Sequence, residues 1–141
     1  EYVISLGVDL VINTRKDNVV ERVKTWSGGQ GVDVAIDNVG GSELARTIEA
    51  VRPFGIIVAY GFTAGAEATI NVREFFFSQK LLRGTIFADP EDLQWGLDQV
   101  RAGRIRPALD RTFPLSQAAE AHRLLATNQV KGNFVLLPWD D

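Results

Sequence analysis

The run Val32-Asp33-Val34-Ala35-Ile36-Asp37 passes directly into Asn38-Val39-Gly40-Gly41. An apolar strand that stops on an acid, an amide and two glycines has the form of a buried parallel strand opening onto a ligand. Glycines let backbone approach a ligand closely, and an amide can read polar edges. Three further apolar runs stop at Asn13-Thr14, at Tyr60-Gly61-Phe62-Thr63 and at Phe87-Ala88. Small, amide, hydroxyl and aromatic residues of this kind suit a flat, polar-edged ring and its ribose, and they contain no nucleophile–base pair. Asp37 has two readings: a ligand group, or an acceptor for the amides of its own loop. The one histidine, His122, shares a helical face with Ala118, Ala121 and Leu125 and reads as a packed core residue.

The usual phosphate cradle is missing from this sequence. No G-x-G-x-x-G follows a strand, and there is no Walker loop. Gly28-Gly29-Gln30-Gly31 precedes a strand rather than a helix, so it reads as a turn. Without that motif the chain has no ready helix N-terminus for a pyrophosphate.

Composition narrows the classes. The 141 residues suffice for one domain with a real core. A net charge of −3 with no basic block argues against nucleic acid and anionic membrane as partners. With no cysteine and a single histidine, disulfides, a cysteine nucleophile and a metal site are not expected. No stretch has the length and apolarity of a membrane span, and the start does not resemble a signal peptide, so a cytoplasmic protein is expected.

The elements that must position these strand ends alternate between strand and helix. Val3, Ile4 and Leu6 read as the end of an amphipathic helix stopped by Gly7. A domain rarely begins in the last turn of a helix, so a preceding segment is expected. Strands are predicted near residues 9–13, 32–37, 56–61 and 81–87, all parallel. Asn18 with Glu21 predicts a capped helix bearing Val19, Val20, Val23 and Trp26 on one face. Ser42 is the predicted cap of a helix that turns Leu44, Ala45, Ile48 and Val51 inward, and Arg52-Pro53-Phe54-Gly55 reads as a turn. Asn71 with Glu74 predicts another cap. Phe75, Phe76 and Phe77 cannot all face one side of that helix, so core plus a partner surface is expected. Asp89 before Pro90, with acids in the first turn, predicts a helix that turns Leu93, Leu97 and Val100 inward and ends at Gly103. Residues 106–114 are extended, Ser116 opens a last helix and residues 133–138 close as a strand. The pattern predicts an α/β chain: a Rossmann-like, three-layer fold whose mainly parallel sheet is covered on both faces.

The segments LGVDLVIN, GGQGVDVAIDNVGG, VRPFGIIVAYG, GRIRPALDRTFPLSQAAEAHRLL and KGNFVLLP together resemble the medium-chain dehydrogenase/reductase superfamily. Within it they are most similar to the NADPH:quinone oxidoreductase and zinc-binding-dehydrogenase-like branch. The resemblance implies that residues 1–141 are the C-terminal part of a nucleotide-binding Rossmann domain lacking its first two strands. The glycine fingerprint and a GroES-like catalytic domain would then lie before Glu1, and the isolated chain would be inactive. It implies NADP (or NAD) as cofactor, with contacts from Thr14, Asn38, Val39, Tyr60, Gly61, Phe62, Phe87, Gly132 and Asn133. Thr14 stands where the family often has a tyrosine that reaches the adenosine half. Phe87, Gly132 and Asn133 match positions near the nicotinamide end. No catalytic group and no metal ligand carries over.

The implied activity is reduction of a quinone or of an activated alkene or carbonyl, a small-molecule substrate, by hydride transfer. A zinc-dependent alcohol dehydrogenase fragment and a non-catalytic nucleotide-binding or structural module are the alternatives. A methyltransferase, whose fourth strand VDVAID could imitate, is disfavoured by the RTFPLSQAAEAHRLL tail. A homodimer through the 81–87 strand is expected, because an apolar edge strand invites pairing.

Overall fold

The computed structural model describes residues 2–86, 88–127 and 129–139. The chain divides into two units, the first running from Val3 to residue 87 and the second from Ala88 onward.

The first unit opens with one helical turn, α1 (Tyr2–Ser5), which ends at Gly7 with φ +86°. Asp9 to Asn13 do not form the expected strand. A short apolar run becomes a strand only where a neighbour accepts its ladder. Here the Asn13 N–H instead donates to Asp17 Oδ2 at 3.2 Å. Helix α2 (Val19–Trp26) follows, capped as expected by Asn18 Oδ1, which accepts the Glu21 N–H at 3.3 Å.

Strand β1 (Val32–Asp37) leads into α3 (Gly41–Ala50), β2 (Val51–Ala59), α4 (Val72–Ser78) and β3 (Leu81–Gly84). The strands lie in the order β1-β2-β3 and are parallel, joined by helical crossovers. Strand β2 starts five residues before the expected 56–61 and runs through Arg52-Pro53-Phe54-Gly55. The turn is still present, as a register shift: Val32 pairs with Val51, but Val34 pairs with Ile56. Phe54 takes φ +61° there. Strand β3 ends at Gly84, so Thr85 and Ile86 of the expected 81–87 strand fall outside it, although the Thr85 N–H still donates to Ala59 O at 3.0 Å. Asn71 caps α4 through the Glu74 N–H at 3.1 Å, as expected.

Ser42 is not the cap of α3. Gly40 is, with no side-chain cap bond, and Ser42 lies inside the helix. Within this unit α3 and α4 cover one face of the sheet, through Leu44, Ile48 and Phe75. Alternation puts Ala35, Asp37 and Ile57 on the covered face, where Ile48, Val51 and Ile57 form the core with Val32, Leu44, Ile70 and Phe75 around them. Val34 and Ile36 point the other way, and Ile36 is 71% exposed. Phe75 is half-buried while Phe76 and Phe77 are exposed, their rings meeting edge to face at 5.4 Å.

The second unit holds α5 (Pro90–Arg101), β4 (Leu109–Pro114), a 3₁₀ turn (Leu115–Gln117), α6 (Ala118–Ala126) and β5 (Asn133–Leu137). Asp89 caps α5, accepting the N–H groups of Glu91 and Asp92 at 2.9 Å. Leu93, Leu97 and Val100 do share a side of α5, but all three are exposed. Heptad-like spacing names an apolar face without naming what covers it. Strands β4 and β5 pair in parallel through α6, and Phe113, Ala121 and Leu124 form the core with Phe134 and Leu136. His122 is exposed, not packed in that core, because Ala121 and Leu124 occupy the inward side of α6.

Candidate functional site

Two loops leave the C-terminal ends of adjacent strands, residues 38–41 after β1 and residues 60–65 after β2. Their backbones interlock. The Tyr60 N–H donates to Asp37 O at 2.9 Å, and the Ala64 N–H to Val39 O at 2.8 Å. Gly40 and Gly65 form an isolated parallel bridge. A Cβ on Gly61 would stand 2.5 Å from the Asn38 carbonyl oxygen, and one on Gly40 would stand 2.8 Å from both Gly65 O and Phe62 Cα. Gly40 also has φ +68°. The glycines therefore spend their clearance on the close approach of the two loops to each other. The exposed groups on top are the Asn38 amide and the Tyr60 and Phe62 rings.

Asp37 sits beneath these loops, 4% exposed. Its Oδ1 accepts the Gly40 N–H at 2.8 Å and the Val39 N–H at 3.0 Å, and its Oδ2 accepts the Thr47 hydroxyl at 2.7 Å. Burial raises the carboxyl pKa, but the bonds from Gly40, Thr47 and Val39 together outweigh it and hold the group below its ordinary value. The second of the two readings of Asp37 is therefore the one realised: it is the acceptor for its own loop. The N-terminus of α3 begins at the same place, which favours the negative charge.

The sequence-derived site residues are distributed as follows. Asn38, Val39, Tyr60, Gly61 and Phe62 come together in the two facing loops. Thr14 is exposed in the turn before α2 and lines a different, open cleft of about 500 Å³ with Asp17, Asn18, Arg46 and Glu49. Gly132 and Asn133 belong to the second unit, where the Asn133 N–H and Nδ2 donate to Ala108 O at 2.8 and 3.2 Å. Gly132 has φ +123°, and a Cβ there would run into Ala108 O. Phe87 lies outside the described residues. Thr47 was not singled out from sequence; an acid preceding a glycine pair was its only signal.

The zinc-binding dehydrogenase family pattern matches residues 6–136. The chain belongs to that family. A 2-haloacrylate reductase of Burkholderia sp is 32% identical over 94% of this chain and 43% of its own length. A quinone oxidoreductase of Pseudomonas aeruginosa is 33% identical over 90% of this chain and 42% of its own. Among solved structures, an NAD-dependent alcohol dehydrogenase superposes with TM-score 0.84 at 31% identity, covering 94% of this chain and 39% of that one. A 2-octenoyl-CoA carboxylase reductase in complex with NADP and 2-octenoyl-CoA gives 0.83 at 26% identity, covering 99% of this chain and 36% of that one. This zinc-binding dehydrogenase chain thus spans less than half the length of these relatives. Its fold is the α/β, parallel-stranded Rossmann type of its structural neighbours. Among the described residues no three His, Asp or Glu side chains gather as metal ligands would.

Proposed function

We propose that this chain is the nucleotide-binding portion of an NAD(P)H-dependent, cytoplasmic oxidoreductase that reduces quinones or activated alkenes and carbonyls. The reading rests on one observation: in a chain of this family, two interlocked loops at the carboxyl ends of parallel strands present Asn38, Tyr60 and Phe62 outward. The dinucleotide fits in part. An exposed amide and two rings suit a heterocycle and its ribose, whereas the chain carries no glycine cradle for the pyrophosphate. Bound nicotinamide supplies the hydride. The chain's own contribution is orientation: Asn38, Val39, Tyr60, Gly61 and Phe62 hold one side of the dinucleotide.

The names of the haloacrylate reductase and the quinone oxidoreductases support this substrate class. The alcohol dehydrogenase neighbour favours a second reading, alcohol oxidation. Protein expressed from the complete reading frame is the test. Oxidation of NADPH or NADH by quinones or 2-haloacrylates supports the first reading. Zinc-dependent oxidation of alcohols with no quinone turnover supports the second.

We further propose a homodimer through β3. It lies at the end of the three-stranded sheet and all four of its residues are exposed. Phe76 and Phe77 of α4 extend the apolar surface, with Arg73 stacked 5.5 Å from the Phe77 ring centre.

A further inference from the structure

Thr47 and Asp37 are ten residues apart and joined at 2.7 Å, and neither is exposed. The carboxylate is fully engaged. One oxygen is shared by two loop amides, and the other is held by the hydroxyl of a helix. An asparagine could offer only one acceptor oxygen to these three donors. The main chain of Asp37 also receives the Tyr60 N–H, so the same residue fixes the second loop. A side chain that served packing alone would need none of this polarity at such depth, because burying a carboxylate is costly unless it is fully bonded.

We propose that Asp37 and Thr47 are the positioning pair of the strand-end site. Thr47 locks the rotamer of Asp37 against α3. Asp37 in turn fixes the Val39 and Gly40 amides, and with them the spacing at which Asn38 faces Gly61 and Gly40 faces Phe62. The pair touches no ligand itself, and its role in capture rests on the dinucleotide reading above.

Hydrogen exchange and ligand titration, both followed by NMR on the full chain, test the pair. In Thr47→Val the Val39 and Gly40 amides exchange about tenfold faster, the effect of losing one charge-assisted bond. Core amides such as Ile48 and Ile57 keep their rates. NADPH-induced shifts at Asn38, Gly61 and Phe62 then need several-fold more ligand, and Thr47→Ser restores both readings. Unchanged loop exchange in Thr47→Val overturns the proposal. So does equal loosening of loop and core that serine does not rescue. If the parent chain shows no NADPH-induced shifts, the dinucleotide reading fails on its own account, and the exchange rates still decide whether Thr47 positions the loops.

Discussion

The Lys80 ammonium lies 2.7 Å from the carbonyl oxygen of Ile48 in the last turn of α3. The last four carbonyls of a helix have no partner within it, and a cation there also meets the negative end of the dipole. Burial lowers the Lys80 pKa, and the charge of Glu74 opposes that effect. Lys80→Met keeps the stem and removes the donor. We expect a loss of about 1–2 kcal/mol, read as a lower urea midpoint at unchanged slope. A midpoint equal to the parent's would mean that water satisfies Ile48 as well as Lys80 does.

Phe54 holds φ +61°, a conformation in which a side chain other than glycine is strained. Phe54→Gly should stabilise the chain by up to about 1 kcal/mol, the strain relieved less the entropy glycine loses. The next residue should behave oppositely. A Cβ on Gly55 would meet the Val51 side chain and stand 2.8 Å from Asp33 O. Gly55→Ala should therefore cost about 1–3 kcal/mol. Thermal melts of the two variants check the pair. Stabilisation by alanine, or loss on going to glycine at 54, would refute the described turn.

How much of this was legible in the sequence depended on how local each feature was. The caps at Asn18, Asn71 and Asp89 are bonds to amides two or three residues away, and each formed as read. The 32–37 strand and its glycine loop were legible for the same reason. The 9–13 strand was not, because a strand exists only with a neighbour and apolarity cannot name one. Ser42 misled as a cap because Asp37, five residues earlier, already serves the amides of the loop leading into α3. Thr47 has no meaning until α3 folds back over β1. The inward reading of Leu93, Leu97 and Val100 failed because periodicity tells which side is apolar, not whether anything lies against it.

Asp37 makes stability depend on acid. Its folded-state pKa lies below the unfolded value. Its contribution is therefore full above about pH 4, the unfolded carboxyl range, and is lost as pH falls through the folded value. The stability gap between the parent and Asp37→Asn should be constant from about neutrality to about pH 4 and narrow below that. Urea midpoints over this range measure it. A gap that widens on acidification would mean the carboxyl is raised, not lowered.

The Thr85 N–H points inward to Ala59 O within the sheet. Alternation then turns the Gly84 N–H to the outer edge of β3. Gly84→Pro should leave circular dichroism intact and shift light-scattering mass from dimer toward monomer. A parent chain that stays monomeric at high concentration, or a variant as dimeric as the parent, would move the interface away from β3.

Titration of the isotope-labelled chain with NADPH, and separately with NADH, tests the central claim most directly. The account predicts fast-exchange amide shifts concentrated at residues 38–41 and 60–65, with binding too weak to saturate at micromolar ligand because no glycine cradle grips the pyrophosphate. Shifts confined to other surfaces, or no shifts at millimolar ligand, would contradict the claim that these loops face the dinucleotide.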